Sequence, residues 1–176
     1  MCWSYNRQHG TRFLAAMPTN LFGPGDSYDL ANSHVLPALL RKIHVAKQAG
    51  EMQVLIWGSG RPRREFLYSD DMASACVHLM RLPDTAFNRL VDLAQAPLIN
   101  IGAGKDISIS ELASLIGDVV GYNGKFAYDA SKPDGTPQKL LDVSRIGSFG
   151  LKPAIAIREG IELAYRDFQR RFPAHA

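Results

Sequence analysis

Residues 57–71 read Trp57-Gly58-Ser59-Gly60-Arg61-Pro62-Arg63-Arg64-Glu65-Phe66-Leu67-Tyr68-Ser69-Asp70-Asp71. The apolar run 54–56 leads into this stretch and predicts a short buried strand that ends at Trp57. The glycines and the proline of residues 58–62 predict a tight reversal. Residues 66–68 predict a second strand, after which Ser69 or Asp70 is expected to cap a helix. The stretch therefore predicts a strand, a turn, a second strand and a helix.

The same stretch places three arginines and a tryptophan on or beside one turn. Arginine binds phosphate oxygens through two parallel hydrogen bonds at full charge, and an indole ring offers a flat face to a base. These residue types suit a nucleotide diphosphate. They are equally typical of a hairpin with a core tryptophan and solvated arginines. Residue types alone leave both interpretations open.

Length and composition limit the classes of protein to which the chain can belong. It has 176 residues, of which 46% are hydrophobic and 21% charged, values typical of a globular protein with its own core. No apolar run approaches the roughly 18 residues that a membrane span needs, and residues 1–10 do not resemble a secretion signal. Cys2 and Cys76 are far apart, which favours reduced thiols and a cytoplasmic location.

Charge and spacing argue against two further kinds of partner. The net charge is +3, but no lysine-rich run or repeated alternation of aromatic and basic residues accompanies it, so we expect no nucleic-acid partner. No cluster of histidine, cysteine or acidic residues has the spacing of metal ligands, and we predict no metal site.

Further elements follow from the patterns on either side of the turn. We predict a strand at 12–17, a loop at 18–21, a helix at 34–49 with Ser33 as its cap, and strands at 98–101 and 125–129. Ser108 and Glu111 have the spacing of a capping box. A proline- and glycine-containing loop at 132–139 and a final amphipathic helix at 157–172 complete the chain.

The order of four short elements is more specific than composition. The elements are Pro18-Thr19-Asn20-Leu21-Phe22-Gly23-Pro24, Asn32-Ser33-His34-Val35-Leu36-Pro37-Ala38-Leu39-Leu40, Arg64-Glu65-Phe66-Leu67-Tyr68-Ser69-Asp70-Asp71 and Ser131-Lys132-Pro133-Asp134-Gly135-Thr136-Pro137. Together they resemble the extended short-chain dehydrogenase/reductase family of sugar-nucleotide epimerases and dehydratases. The second and fourth elements resemble the branch that epimerises and reduces GDP-4-keto-6-deoxy-D-mannose. The resemblance extends from Met1 to about Phe172.

This resemblance implies a fold and a division of the chain. The fold class would be α/β, as the C-terminal part of a Rossmann-like enzyme. Residues 1–31 and about 91–104 would belong to the NADP-binding sheet, and residues 32–90 and 105–176 to the substrate-binding domain.

The resemblance also implies the site residues. Pro18, Thr19, Asn20 and Leu21 would line the nicotinamide end of NADP. His34, at the amino end of the predicted helix, would be an acid/base residue beside both cofactor and sugar, and imidazole can exchange protons near neutral pH. The GDP-sugar substrate would contact Lys42, Trp57, Arg64, Lys125 and Lys139. Lys42 stands where the family usually has arginine, so it keeps the charge but lacks the bidentate fork.

Two family motifs have no counterpart in these 176 residues: the glycine turn that binds the cofactor pyrophosphate and the Tyr-x-x-x-Lys pair. Tyr128 and Lys132 have the right spacing but lie before a loop. We therefore expect the chain alone to have no reductase activity. The implied assembly is a homodimer of the whole enzyme, and self-association of this chain is expected because sheet edges would be exposed.

Two other functions stay open at this stage. The chain could be part of another sugar-nucleotide epimerase or dehydratase on the same scaffold. It could instead be a non-catalytic binding module that remains from such an enzyme.

Overall fold

The structure is a computed structural model that describes residues 1–30, 32–92 and 94–173. In that part of the chain the helices are α1 (Cys2–His9), α2 (Val35–Gln48), α3 (Ser69–Met80), α4 (Asp84–Asn88), α5 (Ile109–Val120), α6 (Ser144–Gly147) and α7 (Ile157–Arg171). The strands are β1 (Ala15–Pro18), β2 (Asn20–Phe22), β3 (Gln53–Trp57), β4 (Arg63–Tyr68), β5 (Leu98–Ile101), β6 (Asp106–Ser108), β7 (Lys125–Asp129) and β8 (Gln138–Lys139).

The described strands form three small sheets, in which most of the pairings are parallel. β1 pairs with β5, and β3 pairs with β7, both in parallel. β4 is the central strand of the third sheet, where it pairs in parallel with β2 and β8 and antiparallel with β6. Helices packed on parallel pairs are the mark of the α/β class, which confirms that prediction.

The hairpin interpretation of the opening stretch is wrong. β3 and β4 follow each other in sequence but lie in different sheets, because β3 pairs with β7 while the edges of β4 are occupied by β2, β6 and β8. The segment 58–62 therefore connects two sheets. Its two glycines have left-handed φ values of 82° and 75°, as a sharp change of direction requires.

β4 joins two hydrophobic cores by alternating its side chains. Phe66 and Tyr68 belong to a large core with α2, α5 and α7, whereas Leu67 belongs to a smaller core with α3, β5 and α6. This division follows from the two-residue period of a strand. The smaller core contains β5, which the resemblance assigns to the nucleotide-binding sheet, but the predicted domain boundaries stay a prediction. Ala31, Leu93 and residues 174–176 within those ranges lie outside the described residues.

Several local predictions are confirmed. Ser108 and Glu111 form both bonds of the capping box at the start of α5. The predicted strands 98–101 and 125–129 are β5 and β7.

Other local predictions are wrong. His34 rather than Ser33 is the N-cap of α2, and Tyr68 rather than Ser69 or Asp70 is the N-cap of α3; neither cap has a side-chain hydrogen bond. The expected loop 18–21 contains the start of β2, since pairing with β4 extends residues that show no strand pattern of their own. Over the residues that the structure describes, no helix is both long and apolar enough to cross a bilayer.

Candidate functional site

A surface cavity of about 530 Å³ brings together the four predicted cofactor-binding residues and His34. Residues 18–26 form most of its wall, and Ser69 at the start of α3 completes it. His34 is exposed and caps α2, so its imidazole is accessible from solvent. The predicted acid/base residue and the loop predicted to bind nicotinamide thus line the same cavity. The cavity is larger than a nicotinamide ring.

The loop that leads to His34 is held by α7. The Gly25 amide donates to Asp167 Oδ2 at 2.9 Å, and Arg171 Nη1 donates to the Asp26 carbonyl at 3.0 Å. The Tyr28 hydroxyl donates to the Ala164 carbonyl at 3.2 Å. Burial raises the pKa of Tyr28 to about 12, so this hydroxyl stays a donor at neutral pH. These contacts hold residues 25–28 against α7.

Besides the pairing of β2 with β4, two side chains of the cavity wall bond to one carbonyl of β4. Thr19 Oγ1 and Asn20 Nδ2 both donate to the Glu65 carbonyl, at 3.1 and 2.7 Å. Side-chain groups that the resemblance assigns to the cofactor therefore also have a structural role. Arg64 is the preceding residue on β4. The loop predicted to bind the cofactor therefore contacts the strand that carries a predicted substrate-binding residue.

Glu65 itself is fully buried, and sequence reasoning did not single it out. Its Oε1 accepts from the Gly104 amide at 2.6 Å, and its Oε2 accepts from the Leu141 amide at 3.0 Å. The carboxylate thus ties β4 to the turn after β5 and to the segment after β8. An acidic residue that follows two arginines on a strand looks solvent-facing in sequence, and the two non-local amides account for its burial.

Arg64 and Lys139 are direct neighbours in the sheet. The register of β4 and β8 pairs Arg64 with Lys139, and the Arg63 amide donates to the Pro137 carbonyl at 2.8 Å. Arg64 Nη1 donates to the Arg63 carbonyl at 2.8 Å, which orients the guanidinium. Two adjacent cations on one strand pair repel each other, so this arrangement suits a bound anion.

Trp57 lies at the end of β3, and 70% of it is exposed. It pairs in register with Asp129 of β7. Lys132 Nζ is 5.8 Å from the centre of the indole ring, within cation–π range. An exposed indole at a strand end offers a stacking surface, and this exposure excludes the core tryptophan of the alternative interpretation.

Lys42 connects α2 to β3. Its Nζ donates to the Leu55 carbonyl, two residues before Trp57, and eight residues of α2 separate it from His34, about 12 Å at 1.5 Å per residue. The contacts described so far therefore run in a closed ring: from His34 along α2 to β3, through the 58–62 turn to β4, and through Thr19 and Asn20 back to the cavity.

Lys125 lies outside this ring. It pairs with Gln53 at the start of β7, whereas Trp57 pairs with Asp129 at the other end. Four residues of strand separate the two ends, about 13 Å at 3.3 Å per residue. Its role as a substrate contact stays a prediction.

Arg63 is occupied by acidic partners. Its Nε donates to Asp106 Oδ1 at 2.7 Å, and Nη1 lies 3.3 Å from Glu111 Oε2. Hydrogen bonds from Gln138 and from Arg63 hold the pKa of Asp106 below its usual range. Arg63 therefore binds acidic residues of β6 and α5. The adjacent Arg64 pairs with Lys139 of β8 instead.

A comparison with family models matches residues 1–94 to the model described as "NAD dependent epimerase/dehydratase family". The chain belongs to this family. Its membership confirms the resemblance that the sequence elements carry, and with it the Rossmann-like assignment of the α/β fold.

Curated relatives of this epimerase/dehydratase chain include GDP-L-fucose synthases from a bacterium and a plant. The Escherichia coli protein is 48% identical over 96% of the chain, and synthase 1 of Arabidopsis thaliana is 46% identical over 93%. The alignments cover 52% and 48% of those proteins, so the chain spans about half the length of the curated relatives it matches.

Solved structures of related enzymes superpose on most of the chain. A GDP-6-OMe-4-keto-L-xylo-heptose reductase from Campylobacter jejuni gives a TM-score of 0.88 at 35% identity and covers 98% of the chain and 58% of its own. A GDP-L-fucose synthetase from Naegleria fowleri bound to NADP gives a TM-score of 0.75 at 27% identity, over 90% of the chain and 47% of its own. These matches again cover about half of each structure.

Proposed function

We propose that this chain is the substrate-binding part of an NADP-dependent epimerase-reductase that converts GDP-4-keto-6-deoxy-D-mannose to GDP-L-fucose. The observation that carries the proposal is the pairing of Arg64 with Lys139 beside the loop that follows the exposed Trp57. The similarity to GDP-L-fucose synthases supports the identity of the nucleotide and the sugar.

In this proposal each cationic side chain has a stated role toward the GDP group. Arg64 donates paired hydrogen bonds to diphosphate oxygens, and Lys139 adds a point charge on the neighbouring strand. Trp57 stacks against the nucleotide from the end of β3. Lys42 and Lys125 are further predicted contacts, of which Lys42 is the nearer to Trp57 because it bonds β3.

His34 acts on the sugar from the cavity formed with residues 18–26. A keto group acidifies the neighbouring C–H bonds, so an imidazole beside the ring can deliver or remove a proton there. The cavity has room for a nicotinamide next to His34, and its loop residues Pro18, Thr19, Asn20 and Leu21 would hold that end of the cofactor. When bound, NADPH supplies the hydride for reduction.

A second part of the proposal concerns residues 1–176 on their own. They contain the proposed nucleotide and sugar contacts but no Tyr-x-x-x-Lys helix. We therefore expect binding of the GDP-sugar without oxidation of NADPH, until a chain that carries the pyrophosphate-binding turn and the Tyr–Lys pair is added. Turnover by residues 1–176 alone would refute this part.

The proposal is tested by fluorescence, since the chain has only two tryptophans. Trp3→Phe leaves Trp57 as the single reporter. GDP should change its fluorescence saturably and bind more tightly than UDP or dTDP. Arg64→Ala should weaken GDP binding about 10- to 100-fold, the value of a lost charge-assisted hydrogen-bond pair.

Arg158→Ala is the matched control. Arg158 on α7 forms an exposed ion pair with Asp118 on α5. The substitution therefore removes the same charge as Arg64→Ala and leaves Trp57 and Arg64 unchanged. GDP binding by this control should be unchanged. An equal loss in both variants, or no response of Trp57 to GDP, contradicts the proposal.

A further inference from the structure

The loop 130–137 runs alongside the turn 58–62, and the two are joined along their length. Both leave the β3–β7 pair at the register pair Trp57–Asp129, and both enter the β4–β8 pair at Arg63–Gln138. Between these ends, the Ser59 amide donates to Asp134 Oδ1 at 2.6 Å, and Ser59 Oγ donates to Asp134 Oδ2 at 2.7 Å. The carboxylate of Asp134 is thus bound by one residue through two bonds.

The contacts on either side of Asp134 involve the proposed nucleotide-binding residues. Lys132 lies over the ring of Trp57. A Cβ placed on Gly135 would come within 3.8 Å of Arg64 Nη2, so the loop backbone passes beside that guanidinium. Pro137 then accepts from the Arg63 amide, and β8 follows with Lys139. The position of the loop therefore sets the surroundings of Trp57 and Arg64 together.

The turn itself is shaped to receive Asp134. Gly58 has a φ of 82°, and a Cβ there would lie 2.5 Å from Asp134 Oδ1. The Ser59 hydroxyl also accepts from the Arg61 amide and Nε, at 3.2 and 3.3 Å. These bonds link Arg61, Ser59 and Asp134 in a row. The bonds from Ser59 keep the pKa of Asp134 below its usual range.

By its charge alone, an acidic residue among the proposed diphosphate-binding cations would weaken the binding of a diphosphate. Because Asp134 accepts two hydrogen bonds from Ser59, we propose that Asp134 is a positioning residue of the nucleotide site. It acts as a latch that holds the loop 130–137 to the turn 58–62. In this way it pre-organises Arg64, Lys139 and Trp57 for the diphosphate. The proposal rests on the proposed function. Holding the loop in its binding geometry removes an ordering cost that the ligand would otherwise meet.

The latch and the charge of Asp134 make opposite predictions for two substitutions. Asp134→Asn keeps an acceptor oxygen for the Ser59 amide without the charge, and its NH2 can donate to Ser59 Oγ in place of one of the two Arg61 donors. Asp134→Ala removes both contacts and the charge. If Asp134 acts only as a charge, both variants bind GDP more tightly. If it acts as a latch, the alanine variant alone binds GDP more weakly.

The experiment titrates GDP into the Trp3→Phe chain and into the same chain with each substitution, by Trp57 fluorescence. We expect Asp134→Ala to weaken binding about tenfold, as a loop that is ordered about one tenth of the time would, and Asp134→Asn to bind at least as tightly as the parent. Asp84→Ala is the control, because Asp84 on α4 is an exposed acid that pairs with Arg12. The GDP affinity of this control should be unchanged.

Two further readouts separate the possible results. Hydrogen exchange at the Ser59 amide should be fast in Asp134→Ala and slow in Asp134→Asn, while the unfolding midpoints stay within a few degrees. No response of the parent to GDP overturns the proposed function and this inference with it. A parent that binds GDP and an alanine variant that binds it equally well, or better, overturn the inference alone.

Discussion

Glu65→Gln tests whether the buried carboxylate holds the site together. Both oxygens of Glu65 accept from backbone amides, and the side chain is fully buried. Glutamine has the same shape but only one acceptor oxygen, so its NH2 group must face the amide of Gly104 or Leu141. One charge-assisted bond is lost and a buried donor is left unpaired, at about 1.5–3 and 1–3 kcal/mol. We expect a loss of about 3–5 kcal/mol in the free energy of unfolding.

The assay is equilibrium unfolding in guanidinium chloride, with thermal unfolding beside it. At about 2–4 °C per kcal/mol for a chain of this length, the midpoint should fall by roughly 10 °C. Glu162→Gln is the matched control, because Glu162 is exposed on α7, and it should stay within about 0.5 kcal/mol. If both variants unfold like the parent chain, the two amide contacts do not stabilise the fold as argued.

Three other predictions concern α5, His44 and the reach of the site. Ser108→Ala removes the capping box of α5 and should cost about 1 kcal/mol in chemical unfolding, whereas Ser114→Ala, on the exposed side of the same helix, should cost less than half of that. Burial beside Lys47 lowers the pKa of His44, so the neutral ring is favoured in the fold: stability should be complete above about pH 6.5 and decline as the pH falls toward the lowered value. In His44→Gln, unfolding midpoints measured from pH 5 to 7 should lose this part of the slope, and an unchanged slope would contradict the assignment. Lys125→Ala should change GDP affinity less than Lys42→Ala in the fluorescence titration, because Lys125 lies at the far end of the β3–β7 pair.

Local patterns were sufficient where neighbouring residues determine the structure. The apolar spacing of α2, the serine and glutamate of the α5 capping box and the glycine after that helix are short-range signals, and each is found in the structure. β5 and β7 are apolar or alternating runs that sequence alone identifies. α3 starts at Ser69 without the predicted side-chain cap, and its first turn contains Asp70 and Asp71, whose negative charges are favourable at a helix N-terminus.

The errors arise where a distant segment decides the structure. β2, β6 and β8 have two or three residues each and owe their conformation to β4. The partner of β3 is β7, some 70 residues away in sequence, so the glycine turn could not reveal that the strands on its two sides lie in different sheets.

The candidate site divides in the same way. Motif resemblance indicated His34, Trp57, Arg64 and Lys139. The structure pairs Arg64 with Lys139 and places His34 in the cavity formed with residues 18–26, and the binding roles of these residues stay predictions. The motif resemblance could not indicate the burial of Glu65, since that burial depends on the amides of residues 104 and 141. Nor could it indicate the latch at Asp134, because a Pro-Asp-Gly sequence is typical of any turn.

A structure of this chain with GDP bound tests the central claim most directly. The account predicts the diphosphate between the side chains of Arg64 and Lys139, the nucleotide against the exposed ring of Trp57, and the Ser59–Asp134 bonds intact beside it. A nucleotide ordered elsewhere, with Trp57, Arg64 and Lys139 not in contact with the same molecule, would contradict it.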